Sequence, residues 1–195
     1  GEDSLRDEAR ALIDEVLARP RDEAKLLDDL TEMRGLIEQE KPPRDIWDVK
    51  LIPGGLIDIE FIAQYLSLKA RAAGWLPARE DDEATGLLTG SDPALAPQQG
   101  RLGECTSTDA TLKILGPDAF GDEITEELRR ALALWSGHAQ IVRLCAEGRF
   151  DPRQAPAGLI ELLTRTGEAP DLATLEADFK TTSKRVRAIF KQVTS

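Results

Sequence analysis

Strand signals are nearly missing from this sequence. Apolar residues recur at spacings of three and four along almost its whole length, and few runs alternate apolar with polar. A sandwich or barrel is therefore not expected, and the fold class is all-α. Histidine occurs once, at His138, and cysteine twice, at Cys105 and Cys145, far apart and without a C-x-x-C spacing. Those counts argue against a zinc site and against a disulfide scaffold, and suit a reducing, cytoplasmic setting. Aromatic residues make up 5% of the chain, and no basic cluster interleaves with them. With 36 acids against 25 bases and a formal net charge of −11, extended contact with a nucleic-acid backbone is not expected. No apolar run reaches the roughly 18 residues of a membrane span. The first residues show neither a basic region nor an apolar signal core, so no membrane partner is expected. Methionine occurs once, at Met33, and the chain starts Gly1-Glu2, which reads as the edge of something longer.

What is present is enough for one core. At 195 residues and 41% hydrophobic the chain is expected to form a single helical domain over 1–195. Glycine and proline divide it. Ser4 with Asp7 caps an expected first helix to about Ala18, and Arg19-Pro20 breaks it. A second helix spans about 21–40, with Leu26, Leu27, Leu30, Met33 and Ile37 on one side, and stops before Pro42-Pro43. A third runs from about Leu56 to Ala73. Residues 79–103, rich in Gly, Pro, Asp and Gln, read as a long mobile loop. A short helix over Asp109–Leu115 is expected to end at Gly116-Pro117, and a long one to follow over Asp122–Glu147, ended by Gly148. Ala157–Thr166 forms another, stopped at Gly167. A last helix begins after Asp171 and repeats Leu172, Leu175, Phe179, Thr182, Val186, Ile189 and Val193 as a heptad seam, read as packing into the bundle.

The segment from Lys50 to Leu66 holds the candidate site. Gly54 and Gly55 after Pro53 can adopt backbone conformations closed to other residues, and such a turn entering a helix can aim free amides at a phosphate or carboxylate. Lys50 could add a point charge to the same anion. Many helices start after Gly-Gly and bind nothing, so both readings stand. Asp58 and Glu60 lie about 200° apart around the helix and cannot form a carboxylate pair. Asp58 either serves the amides and dipole of its own first turn or meets a partner among Ile62 and Tyr65. Glu60 either forms an ion pair inside the bundle, for example with Arg143, or faces outward in a polar stripe with Gln64, Ser67 and Arg71. His138 is read as a helix-face histidine and Cys145 as a small core residue. Ser4, Ser67 and Ser107 lack the setting of a nucleophile. The acidic runs at Asp28-Asp29 and 80–83 are read as solvated surface.

These residues carry a resemblance. Met33-Arg34, Asp48-Val-Lys50 and the run Gly54-Gly-Leu-Ile-Asp-Ile-Glu-Phe-Ile-Ala-Gln64 are similar to the helical domain of bacterial glutamine synthetase adenylyltransferases. The tail, Ile141-Val-Arg-Leu-Cys145, Phe150-Asp-Pro and Ala155-Pro-Ala-Gly-Leu159, resembles the end of the same proteins, in the adenylylating half. The resemblance is weakest over 79–111. It implies a helical bundle that follows a polymerase-β-like nucleotidyltransferase domain, in an enzyme that moves AMP between ATP and a tyrosine of glutamine synthetase. The parent is expected to use ATP and magnesium, and to meet glutamine synthetase, the PII signalling protein and its own nucleotidyltransferase domain. The Gly-Ser turn and the Asp-x-Asp magnesium pair of that chemistry are not in this chain, so no catalytic residue and no metal ligand is assigned here. Lys50, Gly54, Gly55, Asp58 and Glu60 are then expected to face the nucleotide or the catalytic domain. The alternative is a regulatory module that docks glutamine synthetase or PII through the polar stripe or the acidic loops.

Overall fold

A computed structural model describes residues 2–73, 107–146 and 150–195. The expected loop over 79–103, Cys105 and the expected helix stop at Gly148 lie outside the described residues. Seven helices are present among them, with no strand.

Helix α1 (Glu2–Ala18) ends before Pro20. Arg21 then folds back and donates to the carbonyls of Leu17, Val16 and Arg19 at 2.8, 3.0 and 3.1 Å, so a cation caps the negative end of the helix. Ser4 lies inside α1 rather than at its start, where it was expected to cap.

Asp22 caps α2 (Glu23–Glu40), its carboxylate accepting from the Lys25 amide at 3.2 Å. Leu26, Leu27 and Leu30 pack against the core as the spacing requires. The stripe then turns. Met33 is exposed and Arg34 is buried, the reverse of the expected order. The inward position four residues after Leu30 is Arg34, and its charge is accommodated by the partners described below.

Helix α3 (Leu56–Ala72) is central: α1, α2, α4, α5 and α7 all touch it. That arrangement accounts for its sequence, apolar nearly all round with Ile59, Ile62, Ala63 and Leu66 buried. At its far end Tyr65 Oη and Lys69 Nζ both donate to Glu23 and tie α3 to the start of α2. The Lys69 ammonium, followed by the Tyr65 hydroxyl, holds the Glu23 carboxyl below its ordinary range.

Ser107 caps α4 (Thr108–Phe120), which runs on through Gly116-Pro117 instead of ending there. Pro117 falls in the last turn, where its missing amide loses a single bond, and Gly116 lets Thr125 approach to where a Cβ would lie 2.7 Å from its hydroxyl oxygen. Gly121, at φ 81°, turns directly into α5 (Asp122–Cys145). Helices α6 (Ala157–Thr166) and α7 (Leu172–Val193) follow, the latter capped by Asp171 at 2.7 Å to the Thr174 amide as its sequence indicated. The seam Leu175, Phe179, Val186 and Ile189 is buried within the chain, and α7 packs on α3, α5 and α6. Trp135 of α5 meets Phe179 edge-on at 4.7 Å, near the centre of the core.

Candidate functional site

The turn 50–55 is built from the inside. Gly54 sits at φ 80°, and a Cβ there would fall 1.8 Å from the Ser183 carbonyl oxygen of α7. Gly55 is equally confined, with the Val49 carbonyl 2.3 Å from where its Cβ would be. The glycines therefore let two backbones close, which is a packing role. Their amides are not free. Gly54 N–H donates to Asp58 Oδ2 at 2.8 Å, Gly55 N–H to the Ile52 carbonyl at 2.8 Å, and Leu56 N–H to the Val49 carbonyl at 2.9 Å. Of the two readings the sequence left open, an outward-facing amide nest is thus not formed, because the turn hydrogen-bonds to itself.

Asp58 is wholly excluded from solvent and stands at the centre of a four-charge network. Its Oδ1 accepts from Arg34 Nε, and its Oδ2 from Arg187 Nη1 at 3.0 Å. Arg34 Nη2 reaches the Leu51 and Ile52 carbonyls, both at 3.1 Å. Glu38 closes the ring, ion-paired with Arg187 Nη2 at 2.7 Å and with Arg34 Nη1 at 3.4 Å. Two cations thus meet two anions, so α2, the glycine turn, α3 and α7 are bound without a net buried charge. Trp135 adds its indole N–H to the Gly54 carbonyl at 3.2 Å. Asp58 consequently does both things its sequence position allowed: it bonds an amide of its own first turn and meets a buried partner.

The remaining candidates part company with it. Glu60 projects to the other side of α3, half-buried in a groove of about 690 Å³ lined also by Ser107, Asp109, Glu126, Arg129 and Arg130. It makes no ion pair with another described residue, and Arg143, its suggested partner, is exposed on α5. In that groove Arg129 is held by Asp109 at 2.8 Å and Glu126 at 2.7 Å. Lys50 is exposed at the edge of a hollow formed with Glu40, Lys41 and Asp48. The structure therefore joins Gly54, Gly55 and Asp58 into one interior unit and leaves Lys50 and Glu60 on separate surfaces.

Arg34 and Arg187 were missed as members of this unit. Arg34 had a signal, since it continues the Leu26–Leu30 stripe where an apolar residue belongs. Arg187, flanking the seam residue Val186, had none.

Cys145 also differs from expectation, whereas His138 lies on a helix face as read. Cys145 is exposed at the end of α5. His138 points inward at 4% exposure, stacked on Trp47 at 5.6 Å and edge-on to Phe150 and Phe179, with neither ring nitrogen hydrogen-bonded. Burial pushes its pKa down to about 4, opposed in part by the Trp47 backbone and the Asp45 carboxylate nearby.

Among the described residues no three His, Cys, Asp or Glu side chains are grouped to hold a metal. Asp58, the acid nearest the glycine turn, has both oxygens committed to Arg34, Arg187 and the Gly54 amide. The network around Asp58 and the glycine turn therefore does not fit magnesium or the phosphates it would carry, and no chemical step is assigned to it.

The described residues thus form an all-α unit held by a charge-neutral buried clamp. The comparisons identify its kin: the chain is homologous to a single segment of the bifunctional glutamine synthetase adenylyltransferase/adenylyl-removing enzymes. It is 46% identical over 193 residues to that enzyme from Rhizobium meliloti (strain 1021), a match covering 99% of this chain and 17% of the relative. The enzyme from Agrobacterium fabrum (strain C58 / ATCC 33970) is 42% identical with the same coverage. That from Mesorhizobium japonicum (strain LMG 29417 / CECT 9101 / MAFF 303099) is 38% identical over 97% of this chain and 16% of its own length. The chain thus spans about one-sixth of the length of these relatives. No family model matches it, and no solved structure does.

Proposed function

We propose that this chain serves as the helical support of an enzyme that transfers AMP from ATP to a tyrosine of glutamine synthetase and removes it again, in control of nitrogen assimilation. Catalysis, with its ATP and magnesium, is assigned to a nucleotidyltransferase domain in the rest of such a protein, and the setting is the bacterial cytoplasm. The observation that carries this reading is the homology along nearly the whole chain to one segment of enzymes so named.

The surface supports a contact with further polypeptide. Among the described residues the large exposed apolar side chains, apart from Leu144 at the end of α5, gather on α1 and α2: Leu5 at 69%, Leu12 at 59%, Ile13, Val16, Met33 and Leu36. On α1, Leu5, Leu12 and Val16 fall within about 40° of one another, a stripe of the kind that another surface covers. The proposed face toward the nucleotidyltransferase domain is therefore α1 with the outer side of α2. Lys50 and Glu60 are the sequence candidates that remain at the surface, on separate sides; Gly54, Gly55 and Asp58 act by holding the fold.

The test is a full-length enzyme of this family carrying Leu12→Asp and Val16→Asp, assayed for AMP incorporation into glutamine synthetase. A marked loss of transfer is expected, while the same changes in the isolated chain leave its melting temperature unaltered. Wild-type transfer by the full-length variant would remove α1 from the interface. A second reading, a module that docks glutamine synthetase or PII, draws on the accessibility of Glu60 and Gln64 along α3. Binding of either protein to the isolated chain, lost in Glu60→Lys/Gln64→Lys, would favour it.

A further inference from the structure

The cavity between α7 and residues 43–53 has a charge unlike that of the chain around it. About 540 Å³ in volume, it is lined by Arg44, Lys184, Arg187 and Lys191, with Asp45 as the one acid on its wall. Arg187 is already offset by Asp58 and Glu38. Arg44, Lys184 and Lys191 are exposed, and no hydrogen bond or ion pair joins them to other described residues. Asp45 Oδ1 accepts from the Trp47 amide at 3.0 Å. Three further cations thus line the same groove from two separate elements, against the single acid Asp45, in a chain whose net charge is −11.

Two other hollows do not share this. In the groove beside Glu60 the arginine Arg129 is paired with Asp109 and Glu126, and the hollow at Trp47 sets Glu40, Asp45 and Asp48 against Lys41 and Arg44. Between the basic side chains, the walls are apolar, from Pro43, Ile46, Ile52, Pro53 and Ala188. The frame is fixed, because α7 crosses the glycine turn at a distance that admits no Cβ at Gly54 and Asp58 locks Arg187 from below. Lysines act as compact point charges toward phosphate oxygens, and a concave site with apolar walls and a few convergent charges suits a small organic ligand.

We propose that this cavity binds an organic phosphate of nucleotide size, with Lys184, Lys191 and Arg44 holding the phosphate groups and the wall of Ile46, Ile52 and Pro53 receiving the uncharged part. The assignment rests on the cavity alone and stands whether or not the enzymatic reading above is right.

Calorimetric titration of the 195-residue chain with ADP tests it, with pyrophosphate and a hexaglutamate peptide as parallel probes. ADP is expected to bind with a Kd below about 1 mM at moderate salt, more tightly than pyrophosphate, and more weakly as ionic strength rises. Lys184→Ala/Lys191→Ala is expected to weaken ADP about tenfold or more, without moving the thermal transition, since neither side chain has a described partner to lose. Lys25→Ala/Lys113→Ala, which removes the same charge elsewhere, is expected to leave the affinity unchanged. Absence of ADP binding, an equal loss in the Lys25/Lys113 control, equal affinities for pyrophosphate and ADP, or binding of the acidic peptide in place of ADP would each overturn the proposal.

Discussion

Arg34 and Asp58, 24 residues apart in sequence, form an ion pair in which the side chains are 1% and 0% exposed. Removing one member of such a pair strands the other, at a cost of about 3–5 kcal/mol. Asp58→Ala should therefore lower the unfolding free energy by about that amount, because it leaves Arg34 and Arg187 facing each other and orphans the Gly54 amide. Asp58→Asn, which keeps an acceptor for that amide, should cost less. Urea unfolding of both variants checks the order. In a full-length enzyme the same substitution should reduce the folded fraction while leaving the KM for ATP of the folded enzyme unchanged; a raised KM would return Asp58 to the nucleotide.

Two glycines on neighbouring elements should answer oppositely to alanine. At Gly54 a methyl would meet the Ser183 carbonyl at 1.8 Å in a left-handed backbone conformation, so Gly54→Ala should destabilise by at least about 2 kcal/mol. Gly35, inside α2 with nothing within 4 Å of its would-be Cβ, should gain about 0.5–1 kcal/mol from the same change. Thermal melts of the two variants measure the contrast.

His138 makes stability depend on pH in a definite direction. Its pKa is lowered in the fold to about 4 from an ordinary 6.5, so between these values the unfolded chain binds the proton more readily. The neutral ring costs nothing above pH 6.5, and stability falls as pH drops from there toward 4, by about 3 kcal/mol at the limit. His138→Phe, an aromatic swap into the cage of Trp47, Phe150 and Phe179, should remove this component. The difference between wild-type and variant unfolding free energies, measured from pH 7 to pH 4, reads it directly. A constant difference would mean that the ring is protonated without penalty.

The purified chain should neither transfer AMP to glutamine synthetase nor hydrolyse ATP. Radiolabelled ATP with the chain alone, and with glutamine synthetase added, provides the assay. Turnover that survives repurification would place catalytic groups in this chain after all.

Much of the fold was legible because helices announce themselves locally. The Asp171 cap, the seam from Leu175 to Ile189, the stop at Gly167 and the breaks at Pro20 and Pro42 all depend on neighbours within a few residues. The run through Gly116-Pro117 was not legible, since it depends on Thr125 of the next helix needing the space that a glycine leaves. The candidate segment was found, but its meaning changed. A glycine turn before a helix looks the same whether its amides face a ligand or its own loop, and what decides is how residues 48–55 fold back on themselves and how closely Ser183 of α7 approaches.

The sequence by itself determined the all-α class, the helix borders within a few residues, and the divergence of Asp58 from Glu60, because each follows from the helical repeat and from the chemistry of glycine, proline and capping side chains. Only the tertiary structure decided that Arg34 is buried and Met33 exposed, that Arg187 joins Asp58 from 129 residues away, and that Lys184, Lys191 and Arg44 share one cavity. The physical reason is that charges so distant in sequence are set by which helices cross, and buried charge is tolerated only where that crossing brings its counterpart.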